Sequence, residues 1–161
     1  MSMVFSIFTF FMALGPASGD QGDGRVQFAD VAAELGVDLR NVSGDSEQTY
    51  VIDTMMGGSA LFDYDGDGDL DLYLLNGSRV VGFADGNYPR NALYKNAGGT
   101  FLDVTEAAGL GDTGWGMGCA VADYDNDGDL DIYITNYGRN VLYSNQGDGT
   151  FKDVTQYAGV G

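Results

Sequence analysis

Between Asp63 and Asp71 the chain reads Asp-Tyr-Asp-Gly-Asp-Gly-Asp-Leu-Asp, and from Asp123 to Asp131 it reads Asp-Tyr-Asp-Asn-Asp-Gly-Asp-Leu-Asp. Each segment sets five carboxylates at alternate positions: Asp63, Asp65, Asp67, Asp69 and Asp71, then Asp123, Asp125, Asp127, Asp129 and Asp131. Neighbouring unit charges about 5 Å apart repel by roughly 1 kcal/mol in water and about 3 kcal/mol at an effective dielectric of ~20. A folded loop of this kind therefore calls for a cation. Its donors are all oxygen, which selects a hard ion, Ca²⁺ foremost. Two such ions, one per loop, are expected in a structural role.

The acid-rich balance narrows the function classes. The chain has 24 acidic against 7 basic residues and a formal charge of -17, and the two loops hold 10 of the acids. Phosphate contacts need Lys and Arg, so nucleic acid is excluded as a partner, and an anionic membrane surface with it. Histidine is absent, which removes Ser-His-Asp and Cys-His catalysis and the usual zinc hydrolase sites. Without a nucleophile-base pair the chain reads as a non-enzyme. Cys119 is the single cysteine, so no intrachain disulfide forms, and its apolar surroundings mark it as a small core residue.

The loops must be held by short strands. The 26 glycines against 2 prolines point to a turn-rich chain, and aromatics at 12% to a packed one. Internal repetition organises it. Gly58-Ser-Ala-Leu-Phe-Asp63 matches Gly118-Cys-Ala-Val-Ala-Asp123. Each acidic loop is followed by an alternating run, 70–76 and 130–136, with Tyr73 and Tyr133 in register. Asn91-Ala-Leu-Tyr-Lys-Asn96 then matches Asn140-Val-Leu-Tyr-Ser-Asn145, and Phe101-Leu-Asp-Val-Thr matches Phe151-Lys-Asp-Val-Thr. Tight hairpin turns precede both phenylalanines. Tyr73, Tyr94, Tyr133 and Tyr143 recur at matched places as blade-packing residues. Trp115, the sole tryptophan, reads as a core aromatic at a blade edge, with an exposed binding anchor as the alternative.

Four antiparallel strands per unit is the pattern of a β-propeller blade. The expected fold is all-β, with about two blades present. Their bounds are 58–110 for the first repeat and 114–161 for the second. A third, partial copy spans 26–57: Phe28 to Val37 aligns with Phe101 to Leu110 but has no acidic loop before it. Repeat arrays usually need three or more copies, so the chain reads as part of a larger propeller or as one that completes a ring by oligomerising. Residues 77–90 are an insertion with surface-loop composition. Residues 1–19 have the apolar run and small-residue exit of a signal peptide, though no Lys or Arg precedes the run. Export to the outside or the cell surface is expected, leaving 20–161 as the mature repeat region.

Phe62-Asp-Tyr-Asp-Gly-Asp-Gly-Asp-Leu-Asp-Leu-Tyr73, its second copy from Ala122 to Tyr133 and the two Phe-x-Asp-Val-Thr segments resemble FG-GAP/VCBS repeats. Gly114-Trp-Gly-Met-Gly118 and the Asn-x-Leu-Tyr-x-Asn segments resemble the ASPIC/UnbV branch of that group. The resemblance spans roughly residues 26–161. It implies a propeller, usually seven-bladed, with calcium loops between blade strands as in integrin alpha subunits. It also implies a secreted or surface protein that binds an extracellular protein or glycan. The alternative is the non-catalytic propeller part of a larger exported enzyme or ASPIC/UnbV-type protein.

An EF-hand loop opens with the same pattern but needs an acid at position 12 and flanking helices. Position 12 is Leu74 in one copy and Ile134 in the other. The strand-flanked form assigns Asp63, Asp65, Asp67 and Asp71 as side-chain ligands with the Asp69 carbonyl. The second set is Asp123, Asp125, Asp127 and Asp131 with the Asp129 carbonyl. Gly68 and Gly128 take the sharp turn, where positive φ is expected, and Gly66 is replaced by Asn126. The competing readings are acidic turns solvated by water and a hydrolytic carboxylate pair.

Overall fold

A computed structural model describes residues 28–44, 50–55, 57–80 and 86–161. The signal segment at 1–19 lies outside the described residues, as does the start of the partial copy up to residue 27. The described strands form two four-stranded antiparallel meanders. The first is β1 (Ser59–Phe62), β2 (Asp71–Leu74), β3 (Ala92–Asn96) and β4 (Phe101–Asp103). The second is β5 (Gly116–Ala122), β6 (Asp131–Asn136), β7 (Val141–Asn145) and β8 (Phe151–Asp153). Within each sheet the spatial order follows the chain order. The expected all-β fold with two blade-like units is what the chain forms.

Register aligns the repeat partners. Tyr73 lies between Ala60 and Leu93, and Tyr133 lies between Ala120 and Leu142. β5 is longer than β1 because a bulge at Met117, between Gly116 and Gly118, carries pairing back to Asn136. β1 and β5 lie side by side at the junction of the sheets. A Cβ on Gly58 would stand 3.2 Å from the Gly118 Cα, and one on Gly116 would stand 2.9 Å from the Leu75 Cβ. The glycine lead-ins thus let the inner strands approach closely, and the sheets converge there.

The core lies between the sheets. Phe62, Tyr73, Leu75 and Leu93 of the first unit meet Ile132, Ile134, Val141, Tyr143 and Phe151 of the second. A second cluster lies on the opposite face of the first sheet, where Leu72, Leu74, Ala92, Tyr94 and Phe101 are covered by Val37, Leu35 and Ala32. These two buried faces are equivalent by repeat. Leu72, Leu74, Ala92, Tyr94 and Phe101 correspond to Ile132, Ile134, Val141, Tyr143 and Phe151. The partial copy therefore docks on the first unit as the end of the first unit docks on the second. Gly36 shows the same relation. Its φ is +92°, close to the Phe101 carbonyl, while Gly109, at φ +76°, lies close to the Phe151 carbonyl.

The third equivalent differs. Leu110 is 0% exposed and Val37 is 7% exposed, but Val160 is 37% exposed. Fully burying such a side chain is worth about 1.5–3 kcal/mol. Val160 gains only part of that, because among the described residues no further sheet lies against it.

Strand assignment from the sequence missed two short helical turns, one per unit. Each Phe-x-Asp strand stops after three residues and enters a helical turn, α1 (Thr105–Ala108) and α2 (Thr155–Ala158). The cause is local. Asp103 Oδ1 accepts the Thr105 N–H at 2.9 Å, and Asp153 Oδ1 accepts the Thr155 N–H at 2.9 Å. Gly109 and Gly159, both left-handed, end the turns. The threonine hydroxyls reach back into the sheet, where Thr105 Oγ1 accepts the Leu93 N–H at 2.9 Å and Thr155 Oγ1 the Leu142 N–H at 2.8 Å. Both threonines are at most 1% exposed. Replacing Thr155 with valine keeps the shape and strands the Leu142 N–H. We expect a loss of about 1–3 kcal/mol in chemical denaturation, and serine at the same site should lose less.

Tyrosines tie the turns to the strands. Tyr73 Oη donates to the Leu110 carbonyl and accepts from Asn91 Nδ2; Tyr133 Oη makes the same pair of bonds with Val160 and Asn140. Trp115 is 4% exposed and meets Tyr137 edge-on at 5.9 Å, so it is the core aromatic of the two alternatives. Cys119 is half-buried against the inter-sheet core, and burial pushes its thiol pKa up.

Candidate metal centre

Each acidic loop joins the first two strands of its sheet, β1 to β2 and β5 to β6. The flanks are strands, and Leu74 and Ile134 at position 12 are buried core residues at 2% and 0% exposure. The loops are therefore not EF-hands.

The last aspartate anchors each loop. Asp71 is 0% exposed and Asp131 is 1% exposed. Asp71 Oδ2 accepts the Tyr64 N–H at 3.1 Å, and its Oδ1 accepts the Asn96 N–H at 2.8 Å. Asp131 repeats this with Tyr124 at 2.9 Å and Asn145 at 2.8 Å. One carboxylate thus binds the loop's entry to the third strand of its sheet. Burial pushes the Asp71 and Asp131 carboxyls above the ordinary aspartate range. The facing N–H groups pull them down, and neighbouring aspartates add to the rise.

The first aspartate shapes the turn. Asp63 Oδ1 accepts from the Gly66 and Asp67 N–H groups at 2.8 and 3.1 Å, and Oδ2 from Gly68 at 2.9 Å. Asp123 accepts from Asp127 at 3.1 Å and Gly128 at 3.0 Å. The backbone reverses at Gly68 and Gly128, with φ of +91° and +103°. Gly66 at φ +75° and Asn126 at φ +63° share the left-handed region, which explains their exchange between copies.

Three of the five carboxylates in each loop converge. Asp63, Asp65 and Asp71 bring one oxygen each within 4.8 Å of one another, and so do Asp123, Asp125 and Asp131. Asp67 and Asp127 stand outside these triads. Asp67 Oδ1 accepts the Asp69 N–H at 3.0 Å, and Asp127 Oδ1 accepts the Asp129 N–H at 2.9 Å. That bond is the main reason the Asp67 carboxyl lies below its ordinary pKa, with Lys95 adding to it. The Asp69 side chain is exposed at its loop tip, whereas Asp129 is half-buried, with its carboxylate close to Gly147.

The donor set fits a hard cation. All converging atoms are carboxylate oxygens, and Asp65 Oδ1 is buried with no hydrogen-bond partner among the described residues. An unmatched buried anionic oxygen inside a carboxylate triad is the environment a metal ion satisfies. The first loop already attracts a cation from the protein: Lys95 Nζ pairs with Asp65 Oδ2 and with Asp67 Oδ2, the latter at 3.1 Å.

Several site residues escaped the sequence reading. Lys95 was visible only as a difference, Lys in one Asn-x-Leu-Tyr-x-Asn segment and Ser144 in the other. The closing asparagines of those segments serve the loops directly. Asn96 Nδ2 donates to the Leu70 carbonyl at 3.2 Å, and Asn145 Nδ2 to the Leu130 carbonyl at 3.2 Å. Asn145 Nδ2 also reaches the Tyr64 carbonyl of the first loop at 2.9 Å. Tyr64 in turn stacks on Phe151 with ring centroids 6.3 Å apart. The first loop is thereby built into the junction between the two sheets.

A family profile described as an FG-GAP-like repeat matches residues 63–134 and again residues 123–161. No curated protein matches the chain. The matched stretches start at the first aspartate of each loop and cover more than half of the 161 residues. Within them lie repeated carboxylate triads that can hold a metal ion, each hung between the first two strands of a four-stranded blade. The chain belongs to the FG-GAP-like repeat family, and its two sheets are propeller-type blades of that repeat.

Proposed function

We propose that this chain is a calcium-binding propeller-repeat segment of an exported protein, serving as a scaffold for an extracellular protein or glycan. The observation that carries the reading is the recurrence of one carboxylate triad, Asp63/Asp65/Asp71 and Asp123/Asp125/Asp131, at matched places in both blades. Asp67, Asp127 and the carbonyls of Asp69 and Asp129 complete the ligand sets in this proposal. Calcium suits such loops because it accepts many oxygens in pliant geometry, whereas Mg²⁺ demands a near-ideal octahedron.

The role of the ion is structural. Asp71 and Asp131 are bonded to the sheet and Asp63 and Asp123 to the turn, so an ion held among them ties turn to sheet. In the first loop it also braces Tyr64 against the second blade. No catalytic role is proposed for these residues. A chain of charge -17 favours neither nucleic acid nor an anionic membrane as partner. No helix among the described residues is long and apolar enough to cross a membrane. Export fits calcium, because weak oxygen-ligand sites fill at extracellular calcium levels. The test is a pair of thermal melts on the full chain, one with calcium and one with chelator, with magnesium as control. A melting temperature raised by calcium and little changed by magnesium is expected. Superposable curves would refute the proposal.

A further inference from the structure

The two loops match in sequence but not in their surroundings. Lys95 on β3 places its ammonium between Asp65 and Asp67 of the first loop. Its counterpart on β7 is Ser144, which carries no charge and turns its hydroxyl to the Asn145 carbonyl at 3.3 Å. Opposite Ser144 on β8 stands Lys152, and among the described residues no ion pair joins it to Asp125 or Asp127. Lys95 is only partly exposed, with 32% of its side chain open to solvent, and Asp65 only 16%. The pair is therefore less screened than an ion pair in open water.

We propose that Lys95 is a tethered counter-ion that competes with calcium for the first loop, so that the second loop fills first. This rests on the calcium reading above. A divalent ion entering the first loop must take Asp65, and Asp67 with it, away from the ammonium. In the second loop no ammonium has to be displaced, because among the described residues no basic side chain pairs with Asp125 or Asp127, and the carboxylates there are met by backbone N–H groups alone at Asp123 and Asp131. Without calcium the first loop, at the blade junction, is already partly neutralised, while the second is not. Calcium then acts in two stages, with the blade-junction loop as the low-affinity stage.

The experiment is a calorimetric calcium titration of the full chain alongside Lys95→Ser, Lys95→Arg and Ser144→Lys variants. Two unequal sites are expected in the parent. Lys95→Ser should tighten the weaker one by about tenfold, as expected for removing one competing charge at contact range. Lys95→Arg should leave it weak, and Ser144→Lys should weaken the stronger site. Melts in chelator give a second readout: Lys95→Ser should lower the melting temperature of the calcium-free protein while widening its calcium-induced rise. Two sites whose affinities do not respond to Lys95→Ser would overturn the competition and leave the calcium reading standing. No binding in any of the four proteins would overturn both.

Discussion

Asp71→Ala is expected to lose the first metal site and to destabilise the chain even when no metal is present. Asp71 is fully buried and accepts from two backbone donors, Tyr64 and Asn96. Each stranded N–H costs about 1–3 kcal/mol, so the pair predicts a loss of roughly 2–6 kcal/mol in chelator. Relief of repulsion with Asp65 and Asp67 offsets a little of this. The damage should spread, because Tyr64 carries both the stacking contact with Phe151 and the carbonyl that Asn145 binds. Asp65→Ala is the useful contrast. Asp65 accepts from Lys95 and belongs to the triad, but no backbone N–H donates to it. It should cost calcium at the first site with much less loss of calcium-free stability. Urea denaturation of both variants in chelator decides the matter. Equal, small losses would show that Asp71 does not anchor the loop.

The stabilisation given by calcium is expected to fade on acidification, starting above the ordinary aspartate range. At calcium about 100-fold above its dissociation constant, each site contributes about 2.7 kcal/mol, so two sites give about 5 kcal/mol. For a chain of this size that is a rise of roughly 10–20 °C in melting temperature. Burial pushes the Asp71 and Asp131 carboxyls above their ordinary values. A carboxyl whose folded pKa is raised adds stability below its unfolded-state pKa and loses that contribution as pH rises through the folded value. The calcium-free protein therefore gains from acid at these two groups. The calcium-bound protein loses, because the ion must displace the protons. The gap between calcium and chelator melts should narrow as pH falls from about 7 towards the raised carboxyl range, starting above the ordinary aspartate pKa of about 3.9. A gap that stays constant down to that value would mean that the raised carboxyls are not ligands.

Much of this architecture is legible in the sequence because it repeats within short range. Alternating residues after each loop, a tyrosine at a fixed place and a Gly-Thr-Phe turn place the strands to within a residue or two. The exchange of Gly66 for Asn126 marks a left-handed backbone position, since both residue types tolerate it. Helical turns were not legible as such. Thr105–Ala108 is four residues long, and it is set by the Asp103 side chain and by Gly109, not by any hydrophobic period. Contacts across long separations were out of reach. The carboxylates of Asp65 and Asp67 meet Lys95 about thirty positions away, and Asn145 reaches Tyr64 across 81 positions. Spacing within one strand carries no sign of such partners. The division of labour inside each loop was hidden for a related reason. Five aspartates look alike in the sequence, but Asp71 is buried on the sheet, Asp63 holds the turn, and Asp67 is taken up by the Asp69 N–H. The docking of Val37 and Leu35 on the first blade follows from the partial repeat once its equivalence to Leu110 is seen in space.

The central claim is that each acidic loop is a calcium site. The most direct measurement is the stoichiometry of calcium binding to the full chain by isothermal titration calorimetry, repeated on a variant with Asp125→Ala in the second loop. The account predicts two ions bound by the parent chain and one by the variant, with the remaining site assigned to the first loop. Binding of no ion by the parent, or an unchanged stoichiometry in the variant, would contradict it.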